Sequence, residues 1–356
     1  VVTVGYLIVA AGFFAYPWAS SAMALTGIRG FYAIGAAAIV AGYSALLADY
    51  PQERSRGKLI AVLGIMNGLG IGLLGFVGGN LPKWLEASGL EPLQASRTAL
   101  AIVAALCLAS AVVALAGLRD RREGRGKNRQ SLATLLREGL AAGRKPRIAV
   151  AYASAFAARG DVVVVGTYLS LWVTQAGIDK GMTAAEAQGR AGIEFAIVSG
   201  MALLASPLLG ILNDRINRVA ALAIGMFLGT IGYLVFGLQA DPLAQFAVVA
   251  AILLGIGQIS SILAGQTLIS QEADSPIAGS IIGVFSFFGA VGTLVGGWVG
   301  GQLFGLWRPG APFILMGVLN LLICVAATVV YLGERRDGRE AAADDLLASA
   351  GAGNDE

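Results

Sequence analysis

Long apolar runs, separated by short polar connectors, recur from one end of the chain to the other. In a window of roughly 19 residues they define ten segments, at about 1–19, 28–48, 59–79, 97–118, 148–173, 188–210, 219–238, 245–269, 279–303 and 311–332. An α-helix rises about 1.5 Å per residue, so about 20 apolar residues cross a hydrocarbon layer of about 30 Å. A helix also satisfies its own backbone there, which an isolated strand does not. The alternation at period two that marks an outer-membrane barrel is not seen. The pattern predicts an all-α membrane protein with ten transmembrane helices.

One of these stretches is written twice. Residues 57–79 recur as residues 279–301, with eight of 23 positions identical, among them Gly70/Gly292, Gly75/Gly297, Gly78/Gly300 and Gly79/Gly301. Glycines spaced three to five apart in an apolar helix let a neighbouring backbone approach closely. A period of 222 residues is too long for a solenoid and points to a duplicated helical bundle. Shifting the spans at 148–173 and 188–210 back by that period places their counterparts before residue 1. The repeat thus predicts ten helices of a presumed twelve, two belonging upstream; a ten-span protein is the alternative.

Composition sharpens this in two ways. Hydrophobic residues make up 56% and charged residues 13%, about half the charge of a soluble domain. Histidine is absent and both cysteines, Cys107 and Cys324, fall inside apolar runs. Neither a metal site, a disulfide nor a cofactor is expected, and the usual imidazole proton shuttle is removed.

Charge then sets the orientation. Of 25 Lys and Arg, 18 lie in one set of connectors: Arg54, Arg56 and Lys58, ten between Arg119 and Arg147, Arg215 and Arg218, and Arg335, Arg336 and Arg339. The opposite connectors hold six, and Arg159 lies within a span. The positive-inside rule makes the first set, and both chain ends, cytoplasmic in a cell inner membrane. Residues 1–118 form a partial N-terminal bundle of four spans, 119–147 a basic linker, 148–333 a six-helix bundle and 334–356 a disordered acidic tail. Within the linker, Leu132, Leu135, Leu136 and Leu140 share a helical face suited to the inner leaflet.

Between the sixth and seventh spans the chain reads Gly210-Ile-Leu-Asn-Asp214-Arg215-Ile-Asn-Arg218. The glycine suits a tight turn, and the charges can latch neighbouring helix ends. This resembles the signature loop Gly-x-x-x-Asp-Arg-x-x-Arg of the major facilitator superfamily, in the equivalent place of the second half. The resemblance extends over the chain up to its tail and implies two pseudo-symmetric bundles and a secondary transporter. It implies further that Glu272 pairs with Arg218 or Arg215, and that Asp49 and Arg54 serve the first-half loop. Arg29-Gly-Phe-Tyr-Ala-Ile-Gly-Ala-Ala resembles the family's fourth-helix signature, in which the arginine is tied to proton coupling; Tyr32 and Ala33 depart from it. Residues 70–79 resemble the antiporter signature but lack its proline, leaving close packing as the inference.

Ionisable groups deep in a span are costly and mark function by default. Arg159 and Asp161 lie about 16 and 19 Å into the fifth span, about 200° apart around the helix. Glu194, in the sixth span, can pair with Arg190 at i−4 or share a cavity with Asp161. Ser154, Asp161, Tyr168 and Gln175 recur every seven residues and predict a wetted wall, while Gly160 allows a kink. Asp161, Glu194 and Arg29 are therefore the expected proton-coupling residues, and Arg159, Tyr168 and Gln258 the expected substrate contacts. An interhelical ion pair is the structural alternative for Arg159 and Asp161.

The expected function is secondary transport of a small molecule by alternating access, driven by protons, as efflux by antiport. Import of a small organic anion is the alternative, and a non-transporting receptor or assembly factor the alternative of another class. No ATP-binding Gly-x-x-x-x-Gly-Lys-Ser/Thr sequence and no His-Glu-x-x-His cluster is present, which argues against a primary pump or an enzyme. The partners expected are protons, the solute and the bilayer, for a monomer that binds no nucleic acid.

Overall fold

The computed structural model describes the backbone of residues 2–49, 56–117, 132–273 and 277–352, and no strand occurs among them. The chain runs through α1 (Val2–Ala15), a 3-10 turn (Tyr16–Trp18), α2 (Ala22–Asp49), α3 (Arg56–Ala87), α4 (Pro92–Gly117) and the short α5 (Leu132–Ala142). Next come α6 (Pro146–Val164), a π-helical turn (Val165–Leu169) and α7 (Ser170–Asp179), which together form one continuous helical passage. It ends with α8 (Ala184–Arg215), α9 (Arg218–Leu238), α10 (Gln245–Glu272), α11 (Ala278–Leu306) and α12 (Ala311–Ala352). Each of the ten apolar segments coincides with a helix. Among the described residues, seven helices are long and apolar enough to cross a membrane, and Val2–Trp18 and Met23–Ile39 are shorter apolar helices.

Contacts divide the chain into two compact units: residues 1–128 with 177–196, and residues 129–176 with 197–356. The division differs from one drawn at the linker, because the first half of α8 joins the earlier helices. At the acid-rich end α12 runs to Ala352. Alanine, leucine and glutamate there are good helix formers, and no proline interrupts them.

In the first unit, α1 packs on α2 through glycine. A Cβ at Gly5 would meet the Gly35 carbonyl at 2.8 Å, and one at Gly12 the Tyr32 side chain at 3.2 Å. The repeated glycine stretch does the same between α3 and the start of α8. A Cβ at Gly79 would lie 2.7 Å from the Gly192 Cα, and one at Gly75 would run into the Phe195 ring. Only glycine at these places allows the helices to touch backbone to backbone.

In the second unit the later copy of that stretch binds α11 to α6. Positions 289, 292, 296 and 300 face, in turn, the Arg159 stem, the Phe156 carbonyl, the Gly160 Cα and the Tyr168 ring. The linker helix α5 is docked on the same unit. Glu138 accepts from the Ser280 hydroxyl at 3.1 Å, and the Tyr152 hydroxyl donates to the Gly139 carbonyl at 2.8 Å. Of the leucines expected on the inner leaflet, Leu136 packs on the bundle core while Leu140 stays exposed. Arg308, between α11 and α12, donates to the carbonyls of Gly237, Leu238 and Gln239 at 3.0, 3.2 and 3.0 Å, closing the open end of α9. Arg308→Ala leaves those carbonyls without this donor. It is expected to lower stability by about 1–2 kcal/mol, read as a drop in thermal unfolding midpoint in detergent.

Candidate functional site

Asp161 is fully buried inside the second unit. Its partner comes from α12: the Asn320 amide nitrogen lies 3.2 and 3.1 Å from the two carboxylate oxygens. The same nitrogen donates to the Met316 carbonyl at 2.9 Å, and the Asn320 oxygen accepts from the Ser261 hydroxyl of α10 at 3.1 Å. Ser261 also lies 3.1 Å from the Gly257 carbonyl. From α9, the buried Tyr233 hydroxyl stands against Gln258 and within electrostatic reach of Asp161, without completing a hydrogen bond. Four helices thus converge on one buried acid. Gly229 of α9 makes this possible, because a Cβ there would sit 3.1 Å from the Asn320 amide.

An aromatic cluster adjoins the polar knot. Tyr233 stacks on Phe313 at 6.5 Å, Phe313 meets Phe236 at 4.8 Å, and Phe236 meets Trp172 edge-on at 5.7 Å. All four are buried. The acid itself is fully buried, a setting in which a charge without a cation is costly. Among the described residues no basic side chain pairs with it. Arg159, two residues away, is exposed with its stem over Gly289. The two charges do not form an ion pair, as their angular separation predicts.

The seven-residue stripe does not form a single wall. Ser154 and Asp161 are buried towards α10 and α12, but Tyr168 turns to α11, where its hydroxyl donates to the Gly297 carbonyl and its ring stacks on Phe304 at 5.7 Å. The π turn at residues 165–169 contains Tyr168, and its wider winding takes that residue out of the register of a regular helix. It also places the irregularity after Asp161 rather than at Gly160, which serves close packing on α11. Gln258 is half-buried beside Tyr233.

Glu194 belongs to the first unit. It is fully buried, with the Arg190 guanidinium 3.3 Å from one carboxylate oxygen, one helical turn before it. No hydrogen bond completes the pair on either oxygen. Arg190→Ala leaves a buried acid without its partner and is expected to cost about 1–3 kcal/mol of stability. Glu194→Gln should cost less in the same thermal unfolding measurement. Arg29, on α2, is exposed.

The charges at the helix ends are arranged otherwise than expected. Arg218 donates to Asp214 at 2.9 Å and to the Asn213 carbonyl, folding back on the end of α8 instead of reaching Glu272. Glu272 pairs with Arg147 at 3.1 Å, and Arg147 also lies 3.4 Å from Glu334. Proximity decides this: Arg147 opens α6, and α6 packs on both α10 and α12. Gly210 does not make the turn either. It lies within α8, while residues 216 and 217 turn the chain and Asn217 caps α9 through the amides of Val219 and Ala220 at 2.8 and 3.3 Å. Arg215 is exposed. Arg54 lies outside the described residues, as does the side chain of Asp49.

Sequence reasoning passed over Asn320 and Tyr233. Asn320 had a signal, as the one amide in the apolar run 311–332, where such groups act as glue between helices.

The chain matches the profile of the Major Facilitator Superfamily over residues 1–187 and 183–350. It belongs to that family. Its members are secondary transporters, and this chain is a multi-pass membrane protein of that kind. The magnetosome protein MamH of Paramagnetospirillum magneticum is 29% identical over 319 residues, covering 88% of this chain and 70% of that protein. The magnetosome protein MamZ of Magnetospirillum gryphiswaldense is 30% identical over 182 residues; the match covers 51% of this chain and 28% of MamZ. The crystal structure of the nucleoside transporter NupG has a TM-score of 0.68 at 15% identity, covering 93% of this chain and 82% of that one. A bacterial homologue of the human lysosomal transporter Spinster, inward-facing and occupied, has a TM-score of 0.62 at 16% identity, with 94% and 82% covered. These likenesses establish the fold.

Proposed function

We propose that this transporter couples a small solute to protons, exporting it by antiport, with Asp161 as the coupling side chain. The supporting observation is a buried acid within a membrane helix, held by an amide and, among the described residues, by no cation. A fixed Lys or Arg would make the carboxylate a permanent structural ion, whereas a lone acid is free to exchange charge for a proton. Protonation removes the charge, lowers the cost of desolvation and lets the bundle change state. Glu194 and Arg29 are proposed as further coupling residues, with Arg159, Gln258 and Tyr168 as solute contacts. Gly210, Asp214, Arg215 and Arg218, with Glu272, Asp49 and Arg54, are proposed to form the cytoplasmic latches.

One observation favours a second reading. The exposed guanidinium of Arg159 within a membrane helix suits an anionic solute, and hence import of an organic acid with protons. Reconstitution into liposomes loaded with a pH-sensitive dye separates the two. Antiport acidifies the compartment that the solute departs from, and symport the compartment that it enters. Net solute flux through the protein without proton movement in either sense would sink the coupling proposal.

The relatives MamH and MamZ are named as magnetosome proteins. We extend that setting to this chain and place it as a monomer in a magnetosome membrane, both ends cytoplasmic, in place of the cell inner membrane. Detection in the cell membrane fraction alone, and not in purified magnetosomes, would remove that placement.

A further inference from the structure

Resting on the reading of Asp161 as the proton carrier, we infer that Asn320 is the positioning residue that lets this acid give up its proton inside the bundle. A carrier must release its proton as well as take it. A carboxylate fully buried inside a helical bundle has little reason to ionise unless a donor is already aimed at it.

Asn320 is such a donor, and the Met316 carbonyl fixes its orientation. One amide hydrogen serves the Met316 carbonyl at 2.9 Å, leaving the other for the Asp161 oxygens at 3.2 and 3.1 Å. The amide oxygen is held at the same time by the Ser261 hydroxyl at 3.1 Å. Turning the amide over would set its oxygen against the Met316 carbonyl and its nitrogen against the Ser261 hydroxyl, losing the first contact outright. The donor therefore faces the acid before any proton leaves. When Asp161 ionises, the proton departs to water or solute and the amide hydrogen strengthens its bond to the new charge. When Asp161 is protonated, that bond weakens, and with it the tie between α6 and α12.

The neighbouring elements offer little else to hold the charge. Tyr233 of α9 is the titratable side chain that faces Asp161. Within the apolar part of α10 there is no ionisable residue before Glu272, and α11 has none. On α12 there is only Cys324 before Tyr331 and Glu334. On α6 itself, Arg159 is turned over Gly289 of α11.

Infrared difference spectroscopy on the purified full chain tests this without knowledge of the solute. A protonated carboxyl group gives a carbonyl band that vanishes as pH rises, and its loss in Asp161→Asn assigns the band. In Asn320→Leu the band is expected to titrate about one to two pH units higher, the worth of one hydrogen bond to a charged group. It should also move to higher frequency, as a carbonyl freed of a donor does. Ser261→Ala, a smaller change that keeps the donor but frees its other end, is expected to shift the midpoint in the same sense by less. An unchanged midpoint in both variants overturns the role of Asn320 while leaving Asp161 as the carrier. Absence of any titrating band that depends on Asp161 overturns the carrier itself, and the role of Asn320 with it.

Discussion

Asp161→Asn is expected to abolish proton-driven transport and to leave solute counterflow at equal pH on both sides in place. Asparagine nearly matches aspartate in shape and still offers an oxygen to the Asn320 amide, so the tie between α6 and α12 persists. The ability to exist in two charge states is lost. Solute exchange down its own gradient needs no such change, whereas accumulation against a gradient driven by pH does. In proteoliposomes the variant should fall to background when a pH gradient is the only driving force. Accumulation equal to that of the unmodified protein would show that the coupling ion binds elsewhere. Asp161→Leu is the harsher test of structure, since it withdraws both oxygens from Asn320 and leaves that amide hydrogen buried without an acceptor.

The second large effect is expected at Gly292. A Cβ there runs into the Phe156 carbonyl of α6, a backbone atom that cannot swing aside. Gly292→Leu must part α6 from α11 and disturb the neighbouring contacts of Gly289, Gly296 and Gly300 together. Overpacking typically costs about 1–3 kcal/mol, and a clash with backbone belongs at the top of that range. The expected result is a broad, aggregated profile on size exclusion and a lowered unfolding midpoint. Gly283→Ala is the matched control, because nothing lies within 4 Å of that position. Its midpoint should be unchanged or slightly raised, through reduced freedom of the unfolded chain. Equal behaviour of the two variants would contradict the close packing of α6 on α11.

The glycine stretch shows how far local pattern reaches. Its recurrence at residues 57–79 and 279–301 means that both copies are built for close helix contact. It does not say with which helix. In the later copy the partner is α6; in the earlier one Gly75 and Gly79 meet the start of α8. A small residue permits approach from any neighbour, so its partner depends on where the other helices fall.

The charges divide along the same line. Arg190 and Glu194 pair as their spacing of four predicts, because a helix brings those positions together whatever surrounds it. Pairs between helices were less legible. Glu272 joins Arg147, 125 residues away, and Arg218 turns back to the end of α8. Asp161 was conspicuous as an acid in an apolar run, but Asn320, 159 residues on, was one amide among many apolar residues.

By itself, the sequence determined the class of fold, the positions of the helices and the acid most worth attention. Those come from periodicity, length and charge, which act over a turn or a span of one helix. Only the tertiary structure decided what Asp161 touches, which way Tyr168 turns within the π turn and how the charges at the helix ends pair. Such contacts depend on the rotation and separation of whole helices, set by the packing of every side chain between them, and no local pattern carries that information.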